Sequence, residues 1–245
     1  MCLSVSLVLV SAVKAGNNNA DAAVSSTTKE VAVSTTAREA KATTAELWAA
    51  TASALYEKLG LAELGLSKKA MQYAYRGYAQ LAARGAVRNN ILTVVDFSQS
   101  SRKKRMYIID MDNQQVLLNT YVAHGKNSGL DYANRFSNTM SSLQSSLGFY
   151  ITTNTYFGKH GLSLRLDGME RGFNDRAMER AIVVHGANYI GSHRVNSAYN
   201  GRSFGCPAVP QVHSKKVINW IKDGSVLFVY HPSNKYLHGS KLLNG

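Results

Sequence analysis

Apolar and polar positions alternate in three different textures along the chain. The first is one apolar run, Leu3 to Val13, that ends in the small residues around Ser11-Ala12 and Lys14-Ala15. Its length suits the core of an export signal and is too short to cross a bilayer, although no Lys or Arg precedes it. Residues 1–15 therefore read as a signal-like segment. Residues 16–43 are rich in Ala, Ser, Thr, Val and Asn, carry no aromatic side chain and hold no period, which predicts a flexible spacer. The second texture is helical. Trp48, Ala52, Leu55 and Leu59 recur at spacings of three and four, and a second helix fits Ser67 to Arg84, with Ser67 as its N-cap and Gly85 as its stop. Residues 44–89 are thus expected as a helical appendage packed on the C-terminal part of the chain. Its tyrosines, Tyr73, Tyr75 and Tyr78, read as packing rather than as a ligand shelf.

Beyond Asn90 the pattern changes to short β-branched and aromatic runs divided by polar turns. Strands are predicted at Ile91–Phe97, Met106–Met111, Val116–Ala123, Leu147–Thr152, Ala181–His185 and Val226–Tyr230, and one later helix at Val212–Lys222, stopped by Gly224. Alternation within the strands is weak, so several are expected to be buried on both faces. Residues 90–245 then form one mainly β domain, and the chain as a whole is α+β.

Composition narrows what such a domain does. Hydrophobic residues make up 45% of the 245 positions and charged residues 18%, which excludes wholesale disorder. The net charge of +13 favours polyanionic surroundings: nucleic acid, anionic lipid or an acidic envelope polymer. The basic run Arg102-Lys103-Lys104-Arg105 lies between two predicted strands and reads as a solvated turn, and without a recognition-module signature beside it no nucleic acid is expected. Gly125 to Gly129 lacks the spacing of a phosphate loop. There are two cysteines, and cleavage near Ala15 would remove Cys2, leaving Cys206 as a lone thiol.

Candidate chemistry lies between Val183 and Val209. A predicted strand ends in His185, followed by Gly186, and after the 17 residues from Gly186 to Arg202 comes Ser203-Phe204-Gly205-Cys206-Pro207-Ala208. A thiol in a glycine-flanked turn near an imidazole suits nucleophilic catalysis, since the imidazole takes the thiol proton. Between Arg180 and Lys222 six Lys or Arg stand against no Asp or Glu, a bias that favours thiolate. Pro207 has no N–H, so an oxyanion would be held by the amides of Gly205 and Cys206 or by a donor from elsewhere. His185 would be oriented by a backbone carbonyl or by a distant acid such as Asp167 or Asp175.

The order His-Gly, a spacer, then Ser-x-Gly-Cys resembles the signature of the cysteine L,D-transpeptidases. The stretch from about Leu66 to Tyr230 is similar to the branch known as the murein L,D-transpeptidase catalytic domain, with Thr93 to Ser98, Val122 to Gly125, Ser146 to Tyr150, Gly172 to Asp175 and Gly205 to Ala208 as the matching phrases. The resemblance implies a β-sandwich or barrel with an N-terminal helical pair and one helix after the cysteine. It implies Cys206 as nucleophile, His185 as base and the Gly186 carbonyl as the group orienting the imidazole. It further implies D-alanine release from tetrapeptide stems of peptidoglycan, acyl transfer to an amine, acylation by carbapenems, no cofactor or metal, and a place in the periplasm or cell envelope among anionic wall polymers. Two positions depart from the commoner pattern: Phe204 stands where His precedes Gly-Cys, and Ala208 where Asn or Arg follows. Substrate contacts are therefore expected from Ser203 and Phe204, and from Arg202 or Arg165 on the substrate carboxylate. Other readings are an L,D-carboxypeptidase with water as acceptor, a non-catalytic wall-binding module, and a zinc peptidase drawing on His124, His160, His185, His193 and His213. No tight metal-ligand spacing supports the last, and a papain-like enzyme would place Cys before His.

Overall fold

The N-terminal helices meet the β domain through their apolar stripes. The computed structural model describes residues 44–245; the signal-like segment and the spacer lie outside the described residues. Helix α1 runs through residues 44–58, and α2 spans Lys68–Ala83, with the Ser67 hydroxyl accepting from the Ala70 amide and Gly85 left-handed just past its end. Leu55, Tyr56, Met71, Ala74 and Leu81 join one buried cluster with the strands, so both helices share a core with the residues after Asn90. The three tyrosines of α2 are half-buried against that cluster, and Tyr73 stacks on Tyr230 with centroids 6.1 Å apart.

The strands are β1 (Ile91–Asp96), β2 (Met106–Asp110), β3 (Gln115–Thr120), β4 (His124–Gly125), β5 (Gly148–Gly158), β6 (Gly161–Gly168), β7 (Val183–Ala187), β8 (Arg202–Ser203), β9 (Ala208–Pro210) and β10 (Val226–Tyr230). Among the described residues, eight of them form one sheet in the order β3-β2-β1-β10-β5-β6-β7-β9, and β4 pairs with β8 separately. The pairs β1–β10 and β7–β9 are parallel. The edges of the long sheet nearly meet, because the Ala123 amide, just past β3, donates to the Ala208 carbonyl of β9 at 2.8 Å. A barrel-like mixed α/β fold results. β1, β7 and β10 are buried at every position, as near-continuous apolar runs require.

Several elements differ from the sequence reading. β7 begins two residues later than predicted and continues to Ala187, so His185 is its central residue. No strand was predicted over β6, although Leu162, Leu164 and Leu166 alternate strictly with Ser163, Arg165 and Asp167. Three helices follow Cys206 instead of one: α3 (Gln211–Ile221), α4 (Asn234–Gly239) and α5 (Lys241–Asn244). The last two are too short to show a period. Tertiary bonds hold them, as the buried Glu170 carboxylate accepts from Tyr236, Ser240 and the Phe149 amide. Burial pushes the Glu170 carboxyl above its ordinary range. Among the described residues no helix is long and apolar enough to cross a membrane.

Helix α2 approaches the Phe149 ring of β5 closely at Gly77, where an added methyl would overlap that ring, itself stacked on Phe228 at 4.1 Å. Gly77→Ala gains about 1 kcal/mol of helix propensity in an open helix. Here overpacking, which costs about 1–3 kcal/mol, outweighs that gain. Thermal unfolding should give a lower Tm for Gly77→Ala; a higher Tm would refute the close packing.

Candidate active site

Sheet register decides which side chains can meet. Ser163 of β6 lies opposite His185 of β7, and Arg165 opposite Val183. Opposed residues share a face and neighbours alternate, so Ser163, Arg165, Val183 and His185 line one face. Leu164, Leu166 and Val184 point the other way, fully buried in the core. Helix α3 closes on β7 at Gly186, where a Cβ would stand 2.5 Å from Gln211 Oε1 and 2.7 Å from Ser214 Oγ. Only glycine permits that approach.

β9 runs parallel to β7 with Ala208 opposite His185. Cys206 lies two residues before β9, in the turn that leads into it, and the Val183 amide faces its sulfur. The Cys206 thiol donates to the Ala181 carbonyl, with sulfur and oxygen 3.7 Å apart. His185 Nδ1 lies 2.9 Å from the Gly186 carbonyl oxygen. A carbonyl only accepts, so Nδ1 carries the hydrogen and Nε2 keeps its lone pair. A backbone carbonyl, rather than Asp167 or Asp175, thus orients the ring. On its other side the ring stacks on His160, with centroids 4.2 Å apart and planes 21° from parallel.

The turn that carries Cys206 is fastened from within. Ser203 Oγ donates to the Cys206 carbonyl at 2.6 Å and accepts from the Gly205 amide at 3.1 Å. Ser203 is buried, and both of these bonds of its hydroxyl, expected at the substrate, lie within the turn. The same bond occupies the Gly205 amide, one of the two expected oxyanion donors. Gly205 has φ +127°, and a side chain there would press on the Gln144 carbonyl oxygen at 2.8 Å. Ser145 Oγ donates to the Gly205 carbonyl at 3.2 Å. Arg180 braces this wall from behind: Nη1 donates to the Ser137 carbonyl and Ser146 Oγ, and Nη2 to the Gln144 carbonyl and Ser142 Oγ.

The local charge differs from the sequence reading. Burial raises the Cys206 thiol above its ordinary value, and the Val183 amide and the Arg180 cation offset this only in part. Burial also lowers His185, helped by neighbouring His160 and opposed by the bond to Gly186. Thiol and imidazole are therefore both neutral at rest, and the excess of Lys and Arg in the segment does not make a thiolate.

Arg202 stacks on Tyr199 at 4.3 Å and donates to the carbonyls of Lys126 and Gly129 and to the Tyr199 hydroxyl. Arg165 stays on the His185 face, its guanidinium 4.5 Å from the centre of the Tyr156 ring. Phe204 is exposed, with Lys126 Nζ 4.7 Å from its ring centre. Ala208 is buried between Ala123 and His185 and brings no polar group to the site. The basic run holds a further correction, because Arg105 is not in a solvated turn but fully buried. It donates to the carbonyls of Gln99 and Val122 and sits 2.8 Å from His124 Nδ1. Burial and that guanidinium hold His124 neutral, lowered to about 3. His124 in turn pairs in register with Arg202, so a buried polar anchor fixes β8 just ahead of the turn. Among the described residues no three His, Cys, Asp or Glu side chains gather as a metal would require. Sequence reasoning missed Arg180 and His160 as neighbours of this site. The only signal for His160 is Gly158-Lys159-His160-Gly161, a two-residue turn between glycines.

A family model described as L,D-transpeptidase catalytic domain matches residues 62–230. The chain belongs to that family. Solved structures that a structure comparison matches to the chain include an LD transpeptidase, LdtMt1, in complex with imipenem, at 15% identity over 58% of this chain and 59% of that one, TM-score 0.36. An L,D-transpeptidase from Mycobacterium smegmatis gives the same figures. One from Stackebrandtia nassauensis is 13% identical over 68% of each chain, TM-score 0.35. The chain spans 59% of the length of the first two. No curated protein matches the sequence.

Arg180 is the cation that faces the thiol of this L,D-transpeptidase domain. Arg180→Gln should raise the titration midpoint of Cys206 and slow its alkylation by iodoacetamide at pH 7 several-fold. An unchanged pH profile of alkylation would show that Arg180 is only a brace.

Proposed function

We propose that this chain is an exported cysteine L,D-transpeptidase of peptidoglycan, with Cys206 as nucleophile and His185 as base. The observation that carries this reading is the β7–β9 register, which sets the thiol turn beside an imidazole whose Nδ1 is tied to Gly186 and whose Nε2 is free. Cys206 Sγ attacks the carbonyl carbon of the diamino acid at the third stem position, and its proton passes to His185 Nε2. The oxyanion is met by the Cys206 amide, joined by the Gly205 amide only if that N–H leaves Ser203. Collapse breaks the peptide bond, and D-alanine departs with the proton returned by His185. An acceptor amine then attacks the thioester, loses its proton to His185 and frees the sulfur. Water in place of the amine gives carboxypeptidase activity from the same acyl-enzyme.

Arg165 is the better partner for a substrate carboxylate. It lies on the His185 face, whereas the guanidinium of Arg202 is already bonded to Lys126, Gly129 and Tyr199. Phe204, exposed at the rim, offers an apolar contact for the stem. The net charge of +13 suits retention on anionic wall polymers and not the chemical step.

Cys206→Ser should abolish D-alanine release from a disaccharide tetrapeptide, read by mass spectrometry, while leaving Tm nearly unchanged. Wild-type turnover in that variant would overturn the assignment. Arg165→Gln should raise KM more than it lowers kcat, and Arg202→Gln should mainly lower Tm; the reverse pattern would transfer the carboxylate to Arg202. Turnover should rise as His185 loses its proton, with a midpoint below the ordinary imidazole value of about 6.5. Alkylation of Cys206 should instead have its midpoint above the ordinary thiol value, since burial disfavours the anion. A thiolate titrating well below that value would show a preformed ion pair.

A further inference from the structure

His160 occupies the tip of the hairpin between β5 and β6, in the two-residue turn closed by the pair Gly158–Gly161. Such a tip is ordinarily free in solvent, and His160 is indeed exposed. Its ring nonetheless lies nearly parallel to that of His185, at a centroid distance of 4.2 Å. His185 is only 2% exposed. The bond from Nδ1 to Gly186 fixes one edge of the His185 ring but still lets the ring plane rock about that bond. A flat aromatic surface against its face restricts that rocking.

We propose that His160 is a positioning residue, a ring on the β5–β6 hairpin that clamps the His185 imidazole from the solvent side and fixes the plane in which Nε2 receives the Cys206 proton. The proposal rests on the reading of Cys206 and His185 as nucleophile and base. The hairpin reaches the site by a route separate from the Cys206 turn, so β5 and β6 contribute to proton transfer without touching the sulfur. Burial lowers the His185 imidazole, and repulsion from His160 acts in the same direction. The other groups around His185 are Ser163 and Arg165 on β6, Cys206 ahead of β9, and Gln211 and Ser214 of α3 behind Gly186. Arg165 is the charged member of that set, and it stacks on Tyr156.

Three forms of the full chain test the clamp: wild type, His160→Ala and His160→Phe. D-alanine release is followed against pH, and His185 is titrated by NMR of its ring nitrogens without substrate. His160→Ala should lower kcat about 10- to 100-fold, as misplacement of a reacting group by about 1 Å does, with KM little changed. Its His185 midpoint should rise toward the ordinary imidazole value as the ring becomes solvated. His160→Phe keeps a flat ring, so kcat should return to within about threefold of wild type and the His185 midpoint should stay low. The proposal is overturned if His160→Ala leaves kcat and the His185 midpoint unchanged. It is equally overturned if His160→Phe is as slow as His160→Ala, because the imidazole and not the stack would then matter. Should wild type release no D-alanine, the transpeptidase reading fails, while the His185 titration in the three forms still decides whether the stack exists.

Discussion

A parallel strand pairing of only three residue pairs, His185 opposite Ala208, Gly186 opposite Val209 and Ala187 opposite Pro210, determines which groups come near the Cys206 turn. Side chains alternate along a strand, so a slip of one residue would turn His185 into the core and Val184 out to the face that carries the candidate site. Two neighbours prevent that slip. β6 fixes β7 from the other side through the same alternation, and the Ala123–Ala208 bridge fixes β9 to the far edge of the sheet. Gly186 adds a third restraint, because α3 approaches too closely there for any side chain. The near-closure of the barrel is therefore what holds β7, which carries the proposed base, beside the turn that carries the proposed nucleophile.

The electrostatics follow from that burial. A preformed thiolate and imidazolium would need solvent or counter-charges around both groups. This site offers one braced guanidinium, Arg180, near the sulfur and a second imidazole against the base. Desolvation outweighs the Arg180 charge at the sulfur and acts together with His160 at the base, which holds the pair neutral. In the proposed mechanism, proton transfer then accompanies attack instead of preceding it, so the geometry of Nε2 relative to sulfur matters more than the standing charge. The internal bonds of the turn, from Ser203 to Cys206 and Gly205 and from Ser145 to Gly205, serve that geometry.

Cys206, His185 and Gly186 stand out in the sequence as candidates because a lone thiol after a glycine, and a histidine before one, are local patterns. The central strands were legible as well, since burial on both faces leaves unbroken apolar runs at β1 and β10. What the sequence concealed depends on contacts between distant segments. Arg105 reads as one of four basic residues in a turn, yet tertiary acceptors at Gln99 and Val122 draw it inside and leave its three predecessors in solvent. Ser203 reads as a substrate contact until its hydroxyl is found closing the turn. Arg180 and His160 lie 26 and 46 residues from Cys206 along the chain, and no spacing rule links them to it. The short helices α4 and α5 depend on Glu170, more than 60 residues earlier.

The acyl-enzyme itself is the most direct object of measurement. Wild-type protein mixed with disaccharide tetrapeptide, quenched in acid within a turnover and digested, should yield the peptide containing Cys206 heavier by the muropeptide less D-alanine. The added mass should be released by hydroxylamine, as a thioester is. D-alanine appearing in solution with the Cys206 peptide unmodified at every quench time, or with the added mass on another residue, would contradict the account.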